Sequence, residues 1–158
     1  MVKVKNFSQV TPFLYRGGLP SKENIRELKA IGVKTVIDFN KESHPHELEA
    51  CRDQGLRYIH KPWTAWWHHG ILFRYYHAIA EEFLKDVCDE SLHPLYVHCF
   101  HGRDRTGMLI AAYRVVYEGW TIRQAVDEMK TFGFNRFFHF DLVVFLKRFE
   151  RYRSRNNL

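Results

Sequence analysis

The chain has 158 residues, of which 46% are hydrophobic and 16% aromatic, with three cysteines and a formal charge of +6. That is enough for one domain over 1–158 with a real core, and the composition excludes a disordered, low-complexity or disulfide-framework chain. The positive balance favours anionic partners such as phosphorylated molecules.

In chain order, FLYRGG (13–18) reads as a short strand and turn. Ser21 is a good N-cap for a helix carrying Ile25, Leu28 and Ile31 on one face, and Gly32 stops it. VKTVIDF (33–39) is β-branched and strand-like. A polar helix is expected over 45–54, ended by Gly55, and a strand over 56–60. KPWTAWWHHG (61–70) is a loop with three tryptophans. Helical spacing of Leu72, Tyr75, Tyr76, Ile79, Phe83 and Leu84 predicts a helix over 71–87. LYVH (95–98) is the next strand, and a helix follows over 105–118 until Gly119. Thr121 and Gln124 form a capping-box signature for another helix. A last helix is expected over 139–153. Strands alternating with helices predict an α/β domain: a central, mainly parallel sheet flanked by helices, with a helical C-terminal part.

No run reaches 18 apolar residues, so no membrane span is expected. The first thirteen residues lack the apolar core of a signal peptide. An odd cysteine count fits a reducing compartment, and hence the cytoplasm. The basic KRFERYRSRNN end lacks the aromatic and basic interleaving of a nucleic-acid motif, so no nucleic-acid partner is expected. It reads as a solvated helix end whose charges suit the dipole. A monomer is expected.

The chemistry concentrates in LYVHCFHGRDRTGMLIAAYRVVY, residues 95–117. In an open α/β sheet, ligands bind at the carboxyl ends of strands, where Cys99 stands. A turn of successive N–H groups running into a helix N-terminus makes an anion nest. Gly102 gives that turn its freedom, and Arg105 offers a planar fork to phosphate oxygens. The positive field favours the Cys99 thiolate, a nucleophile for phosphoryl transfer. A cysteine followed six positions later by arginine is a weak pattern alone. The preceding strand, the following helix, His98 before the cysteine, Gly102 and the Thr106-Gly107 pair make it specific.

VHCFHGRDRTG resembles the phosphate-binding loop of the protein tyrosine phosphatase superfamily, within its dual-specificity-like and bacterial branch and near its phytase-like members. FLYRGGLPSKENIRELKAIGVKTVIDFN resembles the opening of the same enzymes, so the likeness covers most of 13–131. The resemblance implies a dual-specificity-phosphatase-like fold, a cysteinyl-phosphate intermediate and no metal or other cofactor. It makes Cys99 the nucleophile and Arg105 the phosphate and transition-state ligand. The backbone of Phe100, His101, Gly102, Arg103 and Asp104 becomes the cradle. Thr106 would donate a hydrogen bond to the Cys99 sulfur, and His98 would hold the loop from behind.

One departure is clear. Many members carry a general-acid Asp about thirty residues before the cysteine, and no carboxylate stands between Lys61 and Ile79. Asp104, His68 or His69, or a substrate phosphate or water remain as alternative proton sources. Asp104 could instead pair with a neighbouring arginine to order the loop. Lys41 and His44 follow the 33–39 strand on the same face, either as substrate contacts or as solvated loop residues. Trp63, Trp66 and Trp67 either line the mouth or anchor the loop, and Cys51 and Cys88 are expected to be structural. The cations His101, Arg103, Lys41, His44, His68 and His69 exceed what one phosphotyrosine needs. The expected substrate is therefore an inositol polyphosphate. The alternatives are a tyrosine or dual-specificity protein phosphatase, or a catalytically weak phosphate-binding module.

Overall fold

In the computed structural model, residues 2–63, 72–134 and 140–156 are described. The strands are β1 (Ser8–Thr11), β2 (Leu14–Gly17), β3 (Thr35–Asp38), β4 (Arg57–His60) and β5 (Leu95–His98). They form one sheet in the order β1-β2-β5-β3-β4. Among the described residues only the β1–β2 pair is antiparallel; β2–β5, β5–β3 and β3–β4 are parallel. The mainly parallel sheet is therefore as expected. β1, which pairs with β2 across a tight turn, was not expected, because SQVT has neither alternation nor an apolar run.

The helices are α1 (Lys22–Ala30), α2 (Pro45–Asp53), α3 (Leu72–Cys88), α4 (Arg105–Tyr117), α5 (Ile122–Thr131) and α6 (Phe140–Asn156). Ser21 caps α1 as expected, and Asn24 returns a bond to the cap residue. Thr121 and Gln124 form the expected reciprocal pair at α5. Both boxes satisfy amides that the first helical turn leaves without partners.

β3 and β5 are buried along their whole length, as central parallel strands between two helical layers must be. Side chains alternate faces. Val36 and Tyr96 pack with Ile25, Leu28, Ala50 and Cys51 beneath α1 and α2. Ile37, Leu95 and Val97 pack on the other face with Phe83, Met108, Leu109, Met129 and Phe145. From Thr106 to Tyr113, α4 is buried on all sides, since α3, α5, α6 and β5 surround it. Its first residue thus starts inside the protein, at the carboxyl ends of β5 and β3, where the following loops converge. Cys51 is buried with its thiol pushed up to about 12, first by burial and then by Glu47, consistent with the structural role expected for it. Cys88 is exposed, and its thiol donates to Tyr117 Oη at 3.1 Å.

Candidate active site

Cys99 follows β5 directly and is only 3% exposed. The turn after it is shaped from outside by three donors. Leu19 N–H donates to the Phe100 carbonyl (3.2 Å), Asn6 Nδ2 to the His101 carbonyl (2.8 Å), and Arg16 Nη2 to the Gly102 carbonyl (2.7 Å). In a planar trans peptide the next N–H points opposite to the carbonyl. Pinning these three carbonyls outward therefore turns the N–H groups of His101, Gly102 and Arg103 inward. Among the described residues those amides have no acceptor. They form an anion nest at the N-terminus of α4. Gly102 has φ +66°, and a Cβ there would fall on the Gly17 backbone, so glycine is required twice over.

Arg105 opens α4. Its Nη1 donates to the carbonyls of Phe39 (2.9 Å) and Trp63 (3.2 Å), and its Nη2 to Asn40 Oδ1 (3.2 Å). Loops after β3 and β4 thus aim the guanidinium. All three acceptors are neutral, so its charge stays available to an anion. Trp63 is buried in the core and packs edge-on to Tyr76. That settles Trp63 as an anchor; Trp66, Trp67, His68 and His69 lie outside the described residues.

Asp104 occupies the N-cap position of α4 but makes no capping bond with its side chain. Both its oxygens instead accept from Arg103 Nε, at 3.1 and 3.0 Å. A general acid at this position would first have to turn out of that contact. Thr106 Oγ1 differs from expectation. It is buried and has no hydrogen-bond partner among the described residues, the Cys99 sulfur included. Burial within the first turn of α4 takes water from the hydroxyl without supplying an acceptor, a state that costs about 1–3 kcal/mol.

Behind the loop is a wall of buried charge. His98 is fully buried, stacks on Tyr96, and lies with Nε2 2.6 Å from Glu47 Oε1 and Nδ1 3.8 Å from Asp38 Oδ1. Asp38 accepts from Asn40 N–H (2.7 Å) and Tyr58 Oη (2.9 Å). Burial, then the Asp38 charge, pushes the Tyr58 hydroxyl far up. His44 turns Nδ1 toward Asp38 at 3.6 Å, so its ring faces this wall rather than standing as a solvated loop residue. Lys41 is exposed in the bend after β3. Ligand atoms of Asp38, His44 and Glu47 lie within 4.8 Å of one another, the grouping among the described residues that could hold a metal. Asp38 accepts from Asn40 and Tyr58, whereas Glu47 against His98 and His44 against Asp38 are close approaches without hydrogen-bond geometry.

Asp38, Glu47, Arg16, Asn6 and Asn40 are site residues that escaped the sequence reading. Glu47 sits in a helix that looked polar and solvated. Arg16 lies in a short strand, fully buried, with its guanidinium 3.8 Å over the Phe132 ring. Burial pushes Arg16 down to about 10, against the pull of Glu128 and of a negative Cys99. Asn6 adopts φ 56° while its amide also reaches the Phe132 carbonyl at 3.2 Å. Asn40 holds Arg105. The one available signal was Asn6, since Asn is enriched in the left-handed region.

A cavity of about 630 Å³ lies at the opposite strand ends, among Phe13, Lys34, Val87 and Pro94. It contains none of this chemistry. Among the described residues no helix is long and apolar enough to cross a membrane.

A family model described as "Tyrosine phosphatase family" matches residues 1–156. The dual specificity protein phosphatase TpbA of Pseudomonas aeruginosa is 32% identical over 82% of this chain and 55% of its own length. The inositol diphosphatase DSP3 of Arabidopsis thaliana is 30% identical over 78% of this chain and 60% of its own. The chain thus spans a little over half the length of these relatives. Among solved structures, the catalytic core of the PP-IP phosphatase SIW14 of S. cerevisiae superposes with a TM-score of 0.78 at 23% identity, covering 98% of this chain and 94% of that one. P. aeruginosa TpbA in complex with pTyr superposes with a TM-score of 0.73 at 26% identity, over 89% and 82%. With its loop after β5 built as described, the chain belongs to the tyrosine phosphatase family.

Proposed function

We propose that the chain is a cysteine-dependent phosphomonoester hydrolase acting on inositol polyphosphates. The observation that carries the hydrolase reading is the geometry of the turn. Three carbonyls are fixed outward around one buried cysteine, and an arginine is aimed by neutral acceptors. Cys99 Sγ attacks phosphorus in line with the ester oxygen; the S–P bond forms as the P–O bond breaks. Arg105 and the inward N–H groups hold the equatorial oxygens as charge develops on them. The departing alkoxide takes a proton. Water then attacks the phosphocysteine, the S–P bond breaks, and orthophosphate and the thiolate are released.

Asp104 and Thr106 have proposed parts. Thr106 supplies a proton-donating hydroxyl that the described residues leave unused. Asp104 either protonates the alkoxide or orders Arg103, and its contact with Arg103 supports ordering. Asp104→Asn separates the two. An acid role predicts a large loss with alkyl phosphates, on the order of 10²-fold, and little with p-nitrophenyl phosphate. Equal losses assign Asp104 to the loop.

The substrate class rests on the chain's formal charge of +6 and on the name of the Arabidopsis relative. A second reading, protein phosphatase, is favoured by Phe100, which is 55% exposed beside the nucleophile, and by the TpbA relatives. Rates of phosphate release on inositol polyphosphates and on phosphotyrosine peptides decide between them. A higher kcat/KM on the former that weakens as salt rises supports the proposal. Peptides turned over at least as well, with little salt dependence, overturn it.

A further inference from the structure

The turn's own cations are poor candidates for a second phosphate. Arg103 is joined to Asp104. His101 is held toward its neutral form, by burial first and then by Lys5, Arg103 and Arg105 against Asp104. A further negative group on the substrate therefore needs a cation from elsewhere.

The N-terminal segment brings one. The Lys5 carbonyl accepts from Gly18 N–H at 2.8 Å, beside the residue whose neighbour Leu19 holds the Phe100 carbonyl. The next residue, Asn6, ties the segment to the His101 carbonyl. A Cβ on Gly18 would lie 3.2 Å from the Phe100 carbonyl oxygen and 3.3 Å from that of Lys5, so the two backbones approach across one glycine. Lys5 is exposed and has no ion pair among the described residues. Its charge is one of those that hold His101 toward the neutral form. The backbone of Lys5 therefore stands at the Phe100–His101 side of the turn, and its exposed side chain starts from there.

We infer that Lys5 binds a second phosphoryl group of the substrate, next to the one held by Arg105, and so selects for polyphosphorylated molecules. The inference rests on the proposed polyphosphate reading and names the residue that would enforce it. Asn6 acts as a positioning residue: its side chain fixes the segment on the turn, and Lys5 reaches from there. An exposed ammonium meeting a phosphate makes a charge-assisted contact that salt screens.

The test uses Cys99→Ser protein, which needs no turnover, with orthophosphate and inorganic triphosphate as probes and calorimetry as readout. Lys5→Ala should lower the ratio of triphosphate to orthophosphate affinity by roughly 3–10-fold at low salt. Lys5→Arg should restore most of it, and the difference should shrink as salt rises. Lys3→Ala, which removes another lysine of the same segment, should leave the ratio in place. A ratio unmoved by Lys5→Ala overturns the inference, as does an equal fall in Lys3→Ala, which would mark a general surface charge. Only the backbone of Lys5 is bonded to the core, so the variant retains its fold contacts, and a thermal melt checks this. A wild type that prefers phosphotyrosine peptides would remove the proposed substrate class, while the triphosphate ratio would still decide the role of Lys5.

Discussion

The turn after β5 and the wall behind it solve different problems. The turn, Cys99 to Arg105, faces an anion; its carbonyls are held by the Leu19 backbone, the Asn6 amide and the Arg16 guanidinium, and its Arg105 by neutral oxygens. The wall is built from Arg16, Asp38, Glu47 and His98, all buried, together with the half-buried Asn6. Its members come from five places in the chain. The difference teaches that the anion nest is made by what grips the carbonyls, not by what touches the anion. Remove a reactive group and the shape should survive. Remove a grip and shape, binding and stability should fall together.

Cys99→Ser should break the comparison most sharply on the turn's side. Turnover should fall by more than about a thousandfold, because the hydroxyl is a poor nucleophile without the thiolate's low basicity. Sulfate or phosphate should still bind, and the melting temperature should hardly move. Residual turnover above about a thousandth of wild type would deny Cys99 the covalent role.

Arg16→Met tests the wall. The Gly102 carbonyl loses its donor in a buried place, at a cost of about 1–3 kcal/mol. Thermal melts should drop by roughly 3–10 °C. Anion affinity, measured on the Cys99→Ser background, should drop with it. A variant that melts lower but binds sulfate as well as its parent would show that the turn keeps its shape without Arg16.

The smallest effect sharpens the boundary between the two regions. His101 belongs to the turn by its backbone, yet its ring is held below the ordinary histidine value near 6.5, by burial ahead of its cationic neighbours. A bound anion favours the protonated ring and so raises its pKa. Affinity for sulfate should therefore be highest below the lowered pKa and fall as pH rises toward the raised, bound-state value. Sulfate suits the measurement because its own charge stays constant. His101→Gln should flatten the slope, and an identical slope in that variant would place the titrating group elsewhere.

Much of the turn was legible because its chemistry is contiguous. Cys99, Gly102 and Arg105 stand within seven residues between a strand and a helix, and local spacing conveys both the nest and its ligand. The capping pairs of α1 and α5 were equally readable, since their partners are three residues apart. Thr106 and His44 were less so. The hydroxyl expected on the sulfur has no partner among the described residues, and the histidine expected at the rim or in solvent turns to Asp38; both depend on packing between elements.

The sequence by itself determined the helices, four of the five strands, the mainly parallel α/β plan and the Cys99-to-Arg105 turn that we propose to be catalytic, because each is conveyed by patterns within a few residues. Tertiary structure alone decided what holds them. Asn6 reaches 95 residues along the chain to the His101 carbonyl, and Arg16 reaches 86 to that of Gly102. Glu47 becomes a buried neighbour of His98 only because α2 packs on the sheet face with its first turn at the carboxyl end of β3. A buried carbonyl or imidazole must find a partner, but nothing local in the chain says which residue it will be. That choice belongs to whichever side chain the folded sheet carries into reach.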